Sequence, residues 1–142
     1  MARTTRSMGR TSRAEDYLEA IYGLAQDWGH ATTFEIADRL RVSAPSVSSM
    51  VKRLAVAGYL EYEPNRGMTL TEEGERVARS VISRHRMLVE FLTVIGVDRT
   101  IANDDAGGIR HHLHPKTTSA LEKLTAILCG HPVLLERLRT IA

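Results

Sequence analysis

Residues 31–74 read ATTFEIADRLRVSAPSVSSMVKRLAVAGYLEYEPNRGMTLTEEG, and the order of elements within them decides the fold. The spacing predicts a short helix over Thr33–Leu40 with Ile36, Ala37 and Leu40 turned inward. Ser43 is placed to cap a third helix, and Pro45 falls in its first turn, where a missing N–H costs little. Gly58 stops that helix. Val47, Val51 and Leu54 form its apolar stripe. Tyr59–Glu63 then alternates, Pro64-Asn65-Arg66-Gly67 makes a turn, and Met68–Leu70 returns as the second strand of a hairpin. Thr71 caps a long helix whose first turn carries Glu72, Glu73 and Glu75, where the helix dipole favours negative charge.

Working outward, Tyr17, Ile21 and Leu24 recur at helix spacing upstream, widened by Leu18, Tyr22 and Ala25. Ser12 and Glu15 have the spacing of a capping box, and Trp28-Gly29-His30 ends this first helix. Downstream, the long helix carries Val77, Val81, Leu88 and Phe91 to a stop at Gly96. A fifth helix is expected over about Ala102–Leu113, ended by Pro115, and a sixth over about Thr118–Leu128. Pro132–Leu138 adds a further turn or two. The fold class is mainly α. An N-terminal winged helix-turn-helix of three helices and a two-stranded wing (12–72) follows a basic arm (1–11) and precedes an all-helical domain (73–142).

The 142 residues carry a net charge of +2, with 43% hydrophobic and 25% charged side chains, as expected of a folded globular chain. The lone cysteine, Cys129, excludes an internal disulfide framework and suits a reducing cytoplasm. No apolar run reaches the roughly 20 residues of a membrane span, so no membrane partner and a cytoplasmic location are expected. Arg3, Arg6, Arg10 and Arg13 precede the first acidic residue, Glu15. An arm lying on nucleic acid and a solvated tail both fit that composition.

In a winged helix-turn-helix the third helix enters the DNA major groove. Here it starts with small side chains, Ser43, Ala44, Pro45, Ser46, Ser48 and Ser49, which let the backbone approach a duplex. Their hydroxyls bond phosphates or several base edges, so they position more than they specify. Lys52 and Arg53, one turn on, suit phosphates, and Arg66 at the wing tip suits a minor groove or the backbone. Serines as turn chemistry and cations as a solvated face is the competing account. The succession of cap, proline, small residues and hairpin favours DNA. No bidentate Arg or Asn reader stands early in the helix, which leaves DNA shape and thymine methyl groups a share of the sequence preference.

Five segments, SRAEDYLEAIY, ATTFEIADRLRVSAPSVSSMVKRLAVAGYL, RGMTLTEEG, SRHRMLVEFLTVIGVD and GGIRHHL, together resemble the metal-dependent repressor family of the diphtheria toxin repressor and the manganese transport regulator. The likeness covers roughly residues 12–128 and is greatest to the shorter, manganese-type members. It implies a repressor of metal-homeostasis genes, a homodimer built on the helices after the wing, binding double-stranded operator DNA. Metal would adjust the spacing of two recognition helices. The resemblance implies ligands at Asp16 and Glu19, at His85, and at positions 107, 110 and 111. This chain departs from the pattern at two of these. Gly107 replaces a carboxylate or cysteine, and Arg110 replaces a glutamate, so Asp16, Glu19, His85 and His111 remain.

Two carboxylates and two imidazoles suit a divalent transition metal, manganese or iron(II) first, then zinc or cobalt. Four donors complete tetrahedral zinc, whereas octahedral manganese needs waters or a further oxygen. Asp104 is a candidate, because 104, 107, 108 and 111 share a helical face; a capping role at the helix start is its other reading. The sharper alternative concerns Arg110. Paired with Asp16 or Glu19, its permanent charge would replace the ion, leaving a winged-helix regulator that needs no metal. His112 and His114 read as surface or dimer-interface residues, and Cys129 with His131 is an isolated pair. No nucleophile or general base accompanies His85 and His111, so the chain is not expected to be an enzyme.

Overall fold

Helices α1 (Ser12–Trp28), α2 (Thr33–Leu40) and α3 (Ala44–Val56) open the computed structural model, which describes residues 12–63 and 65–141. The arm, with Arg3, Arg6 and Arg10, and Pro64 of the wing turn lie outside the described residues. The start of α2 is set by Thr32. Its side chain accepts from the Glu35 backbone N–H at 3.2 Å, while its hydroxyl donates to the Glu35 carboxylate at 2.7 Å. Arg41 ends the helix in the left-handed region, φ 55°, and Val42 N–H returns to the Ala37 carbonyl at 3.1 Å. That reversal is the turn between the two helices of the motif.

The wing follows as β1 (Leu60–Glu63) and β2 (Gly67–Leu70), antiparallel, with Leu60 opposite Leu70 and Tyr62 opposite Met68. A further bridge ties the wing to the segment between α1 and α2. Ala31 and Met68 exchange both backbone hydrogen bonds, at 2.8 and 2.7 Å. This close approach explains Gly67, whose φ is +108° and where a Cβ would lie 2.5 Å from the Ala31 carbonyl oxygen. Thr71 then stitches the wing to the end of α3. It donates to the Gly58 carbonyl at 2.7 Å and accepts from Gly74 N–H at 3.1 Å, capping α4 (Glu72–Val94) as its position predicts.

The chain divides into two compact units, one through Ser80 and one from Val81 on. Helix α4 runs through that division, and Val77 and Ala78, in its second turn, belong to the first core. That core is built on Leu18 and Ile21 of α1, Ile36 of α2, Val47 and Leu54 of α3, and Met68 of the wing, all fully buried. Met50 joins the expected α3 stripe. Full burial of a Leu, Ile, Val or Met side chain contributes about 1.5–3 kcal/mol each. Helix α1 begins at Ser12, and Glu15 in its first turn is buried.

The second unit contains the rest of α4, α5 (Arg99–Ile109), α6 (Pro115–Cys129) and α7 (Pro132–Thr140). Its smaller core is Met87, Leu88, Val89, Ala102 and Ala106, with Leu92, Val97, Leu113 and Leu121 packed against it. Phe91, expected inside, is only half-buried. The fifth helix runs three to four residues earlier than Ala102–Leu113. Asp98 caps it, accepting from Thr100 N–H at 3.0 Å, and two glycines near its end, Gly107 and Gly108, favour an early stop. His114, held extended before Pro115, caps α6 through Nδ1, which accepts from Lys116 N–H at 3.1 Å. Among the described residues no helix is long and apolar enough to cross a membrane.

Candidate nucleic-acid interface and metal centre

The face of α3 turned away from the core carries the residues expected to meet DNA. Ser43, Ala44, Pro45, Ser48, Ser49, Lys52 and Arg53 are exposed, and Ser46 is half-buried. Ser43 caps the helix by accepting from Ser46 N–H at 3.3 Å, and the two hydroxyls bond each other at 2.8 Å. Those two serines therefore have a structural task, while Ser48, Ser49, Lys52 and Arg53 keep their polar ends outward. Arg66, on the wing turn, is exposed, with Glu63 3.9 Å away. An exposed pair at that distance contributes little, so the guanidinium remains available.

A shallow groove of about 320 Å³ runs beside this face, lined by Arg13 and Tyr17 of α1 and by Pro45, Ser46, Ser49 and Arg53 of α3. It brings Arg13 alongside the recognition helix. The sequence pattern groups Arg13 with the arginines that precede Glu15 and does not set it beside α3. The only signal available was its helical spacing from Tyr17. Two arginines and two serine hydroxyls around one groove form a surface that attracts a phosphate group.

In the first unit Asp16 and Glu19 are half-buried, one turn apart on α1, and both have interaction partners. In the second unit His85 of α4 is half-buried, and its Nε2 lies 3.3 Å from Asn103 Oδ1 of α5. Its other nitrogen, Nδ1, is buried without a hydrogen-bond partner among the described residues. An unsatisfied buried acceptor costs about 1–3 kcal/mol, so a lone pair left in this way is an opening for a ligand. Among the described residues of either unit, no three His, Cys, Asp or Glu side chains are grouped closely enough to hold an ion.

The departures lie at the end of α5. Gly107 is half-buried, and a Cβ added there would meet nothing within 4 Å, so a carboxylate side chain has room to start. Arg110 is 9% exposed; its Nε donates to His111 Nε2 at 3.4 Å, and its carbonyl accepts from Arg84 Nη1 of α4 at 2.8 Å. Arg84 thus satisfies a backbone group at the C-terminal end of α5, where positive charge is favoured. The Arg110 contact engages the Nε2 lone pair of His111. Asp104 is exposed in the second turn of α5; the capping role considered for it belongs to Asp98. His131 Nδ1 lies 2.7 Å from the Ile127 carbonyl, and Cys129 is exposed.

Two family models match the chain. One is described as the iron-dependent repressor N-terminal DNA-binding domain, over residues 10–68. The other is described as the iron-dependent repressor metal-binding and dimerisation domain, over residues 71–132. The HTH-type transcriptional regulator MntR of Lysinibacillus sphaericus (strain C3-41) is 38% identical over 128 residues, covering 90% of this chain and 92% of that protein. The transcriptional regulator MntR of Escherichia coli O157:H7 is 41% identical over 123 residues, 87% of this chain and 79% of that one. A solved structure described as a manganese-dependent transcriptional repressor in complex with manganese is similar at TM-score 0.68 and 29% identity. The match covers 79% of this chain but only 52% of that one.

Proposed function

We propose, from the premise that this chain belongs to the iron-dependent repressor family, that it binds operator DNA as a homodimer under the control of manganese. It is a metal-dependent helix-turn-helix transcriptional regulator, since both halves of the family match it and its relatives of 38–41% identity are named transcriptional regulators. The observation that carries the DNA reading is the exposed polar and cationic face of α3, with Arg13 beside it and Arg66 on the wing. Small hydroxyl side chains let the backbone approach, and the cations neutralise phosphates.

Manganese is proposed because a solved structure similar to this chain is described as a manganese-dependent transcriptional repressor in complex with that ion. The ligands carried over by resemblance are Asp16, Glu19, His85 and His111, with Asp104 as a further oxygen. When bound, the ion supplies a fixed positive charge that offsets the repulsion between its carboxylate ligands. Nδ1 of His85, buried and without a hydrogen-bond partner among the described residues, fits a metal ligand. The match of the metal-binding half over residues 71–132 favours this reading over one in which Arg110 stands in for the ion. Dimerisation is supported by exposed apolar side chains on α5, α6 and α7, among them Ile101, Ile109, Leu124, Ile127, Val133 and Leu134.

Two measurements check these assignments. Sedimentation velocity of the manganese-loaded protein is expected to give twice the 15.8 kDa chain mass, and equilibrium dialysis to retain manganese. A monomer at micromolar concentration, or a chain that retains none of manganese, iron(II), cobalt or zinc, would refute them. Arg110→Glu restores the residue type of the family and removes the Arg110 guanidinium contact from His111 Nε2. It is expected to tighten manganese binding by roughly tenfold or more, as expected for an added charged donor. Unchanged or weakened manganese affinity in that variant would show that position 110 does not bear on the ion.

A further inference from the structure

The side-chain amide of Asn103 is held in one orientation. Its Nδ2 donates to the Arg99 carbonyl at 3.0 Å, one turn back on α5. Turning the amide over would set Oδ1 against that carbonyl, two acceptors face to face. With Nδ2 engaged, Oδ1 is what faces His85 Nε2, 3.3 Å away. An amide oxygen only accepts, so the ring nitrogen opposite it must carry the hydrogen. A neutral imidazole carries one N–H, and Nδ1 is therefore the lone-pair nitrogen. That is the buried atom without a hydrogen-bond partner among the described residues.

We propose that Asn103 is a positioning residue for His85: anchored on the Arg99 carbonyl, it accepts the His85 Nε2 hydrogen and so keeps Nδ1 as the metal-binding nitrogen. This rests on the reading of His85 as a ligand. A histidine that binds metal through one nitrogen commonly donates from the other, which fixes both the tautomer and the ring plane. Neither the tautomer nor Asn103 was legible in the sequence, because α4 and α5 bring together residues 18 positions apart.

The test is nitrogen-15 NMR of the His85 ring in the metal-free chain with the ring neutral, together with manganese titration. The native chain is expected to show an N–H nitrogen at Nε2 and a lone-pair nitrogen at Nδ1. In Asn103→Ala the signals should move toward those of free imidazole, and manganese binding should weaken about tenfold or more. Asn103→Asp keeps an acceptor for Nε2 but loses the donor to the Arg99 carbonyl, so it should recover the native ring pattern and the affinity only in part. A native ring protonated at Nδ1, or unchanged manganese affinity in Asn103→Ala, overturns the proposal. His85→Ala separates the two layers. Unchanged affinity there removes the ligand reading and the positioning role with it. Affinity lost in His85→Ala but kept in Asn103→Ala removes the positioning role alone.

Discussion

Gly74→Ala is expected to lower the melting temperature by about 10 °C or more, although it adds a single methyl group. Gly74 lies in the first turn of α4, and its N–H is bound to the Thr71 hydroxyl. A Cβ there would overlap the backbone carbonyl of Tyr59, whose oxygen accepts from Thr71 N–H at 3.1 Å. The clash is with main chain, so no rotamer change relieves it. Either the wing leaves the end of α3 or α4 loses its first turn. Overpacking costs about 1–3 kcal/mol, and the upper end applies where backbone must move. Gly107→Ala is the control. It makes the same chemical change in a helix with open space around the Cβ, and should stabilise by about 0.5–1 kcal/mol. Circular dichroism melts of both variants check the pair; a Gly74→Ala chain that melts like the native one would show that this packing is not needed.

The second large effect concerns DNA. Lys52→Ala combined with Arg53→Ala is expected to weaken duplex binding roughly 10- to 100-fold, with the change falling similarly on specific and unrelated sequences. Both side chains are exposed on α3, one turn beyond the small hydroxyl residues, so their removal leaves the core intact. The slope of log affinity against log salt should flatten by about 0.9 for each phosphate that the variant no longer neutralises. Fluorescence anisotropy at several salt concentrations reads both quantities. A variant with lower affinity but an unchanged salt slope would mean that these cations act through protein structure and not on phosphates.

What the sequence discloses here follows from whether the cause is local. Helix α2 occupies the expected residues 33–40, and Ser43 and Thr71 cap where their types and spacing indicate, because a cap needs only a side chain and a nearby N–H. The wing turn and its flanking strands were legible for the same reason. The start of α5 was not, since Asp98 outweighs an apolar pattern that begins later. Val77 and Ala78 pack into the first core although α4 continues into the next unit, which spacing along the helix does not disclose. At the candidate sites, the exposed face of α3 was readable from helical periodicity. Arg13 beside that face, Arg84 on the Arg110 carbonyl and Asn103 on His85 are products of tertiary structure. The proposed ligand set came from family resemblance, and residue spacing alone did not distinguish His111 from its neighbours His112 and His114.

The central claim is that a divalent ion governs DNA binding by this chain. The most direct measurement uses a duplex selected from a random library by the manganese-loaded protein. Its affinity is then compared for the same protein loaded with manganese and stripped by a chelator. The expected result is tight binding with manganese and binding weaker by roughly 10- to 100-fold without it, restored when the ion is returned. Equal affinity in the loaded and stripped protein would contradict the account.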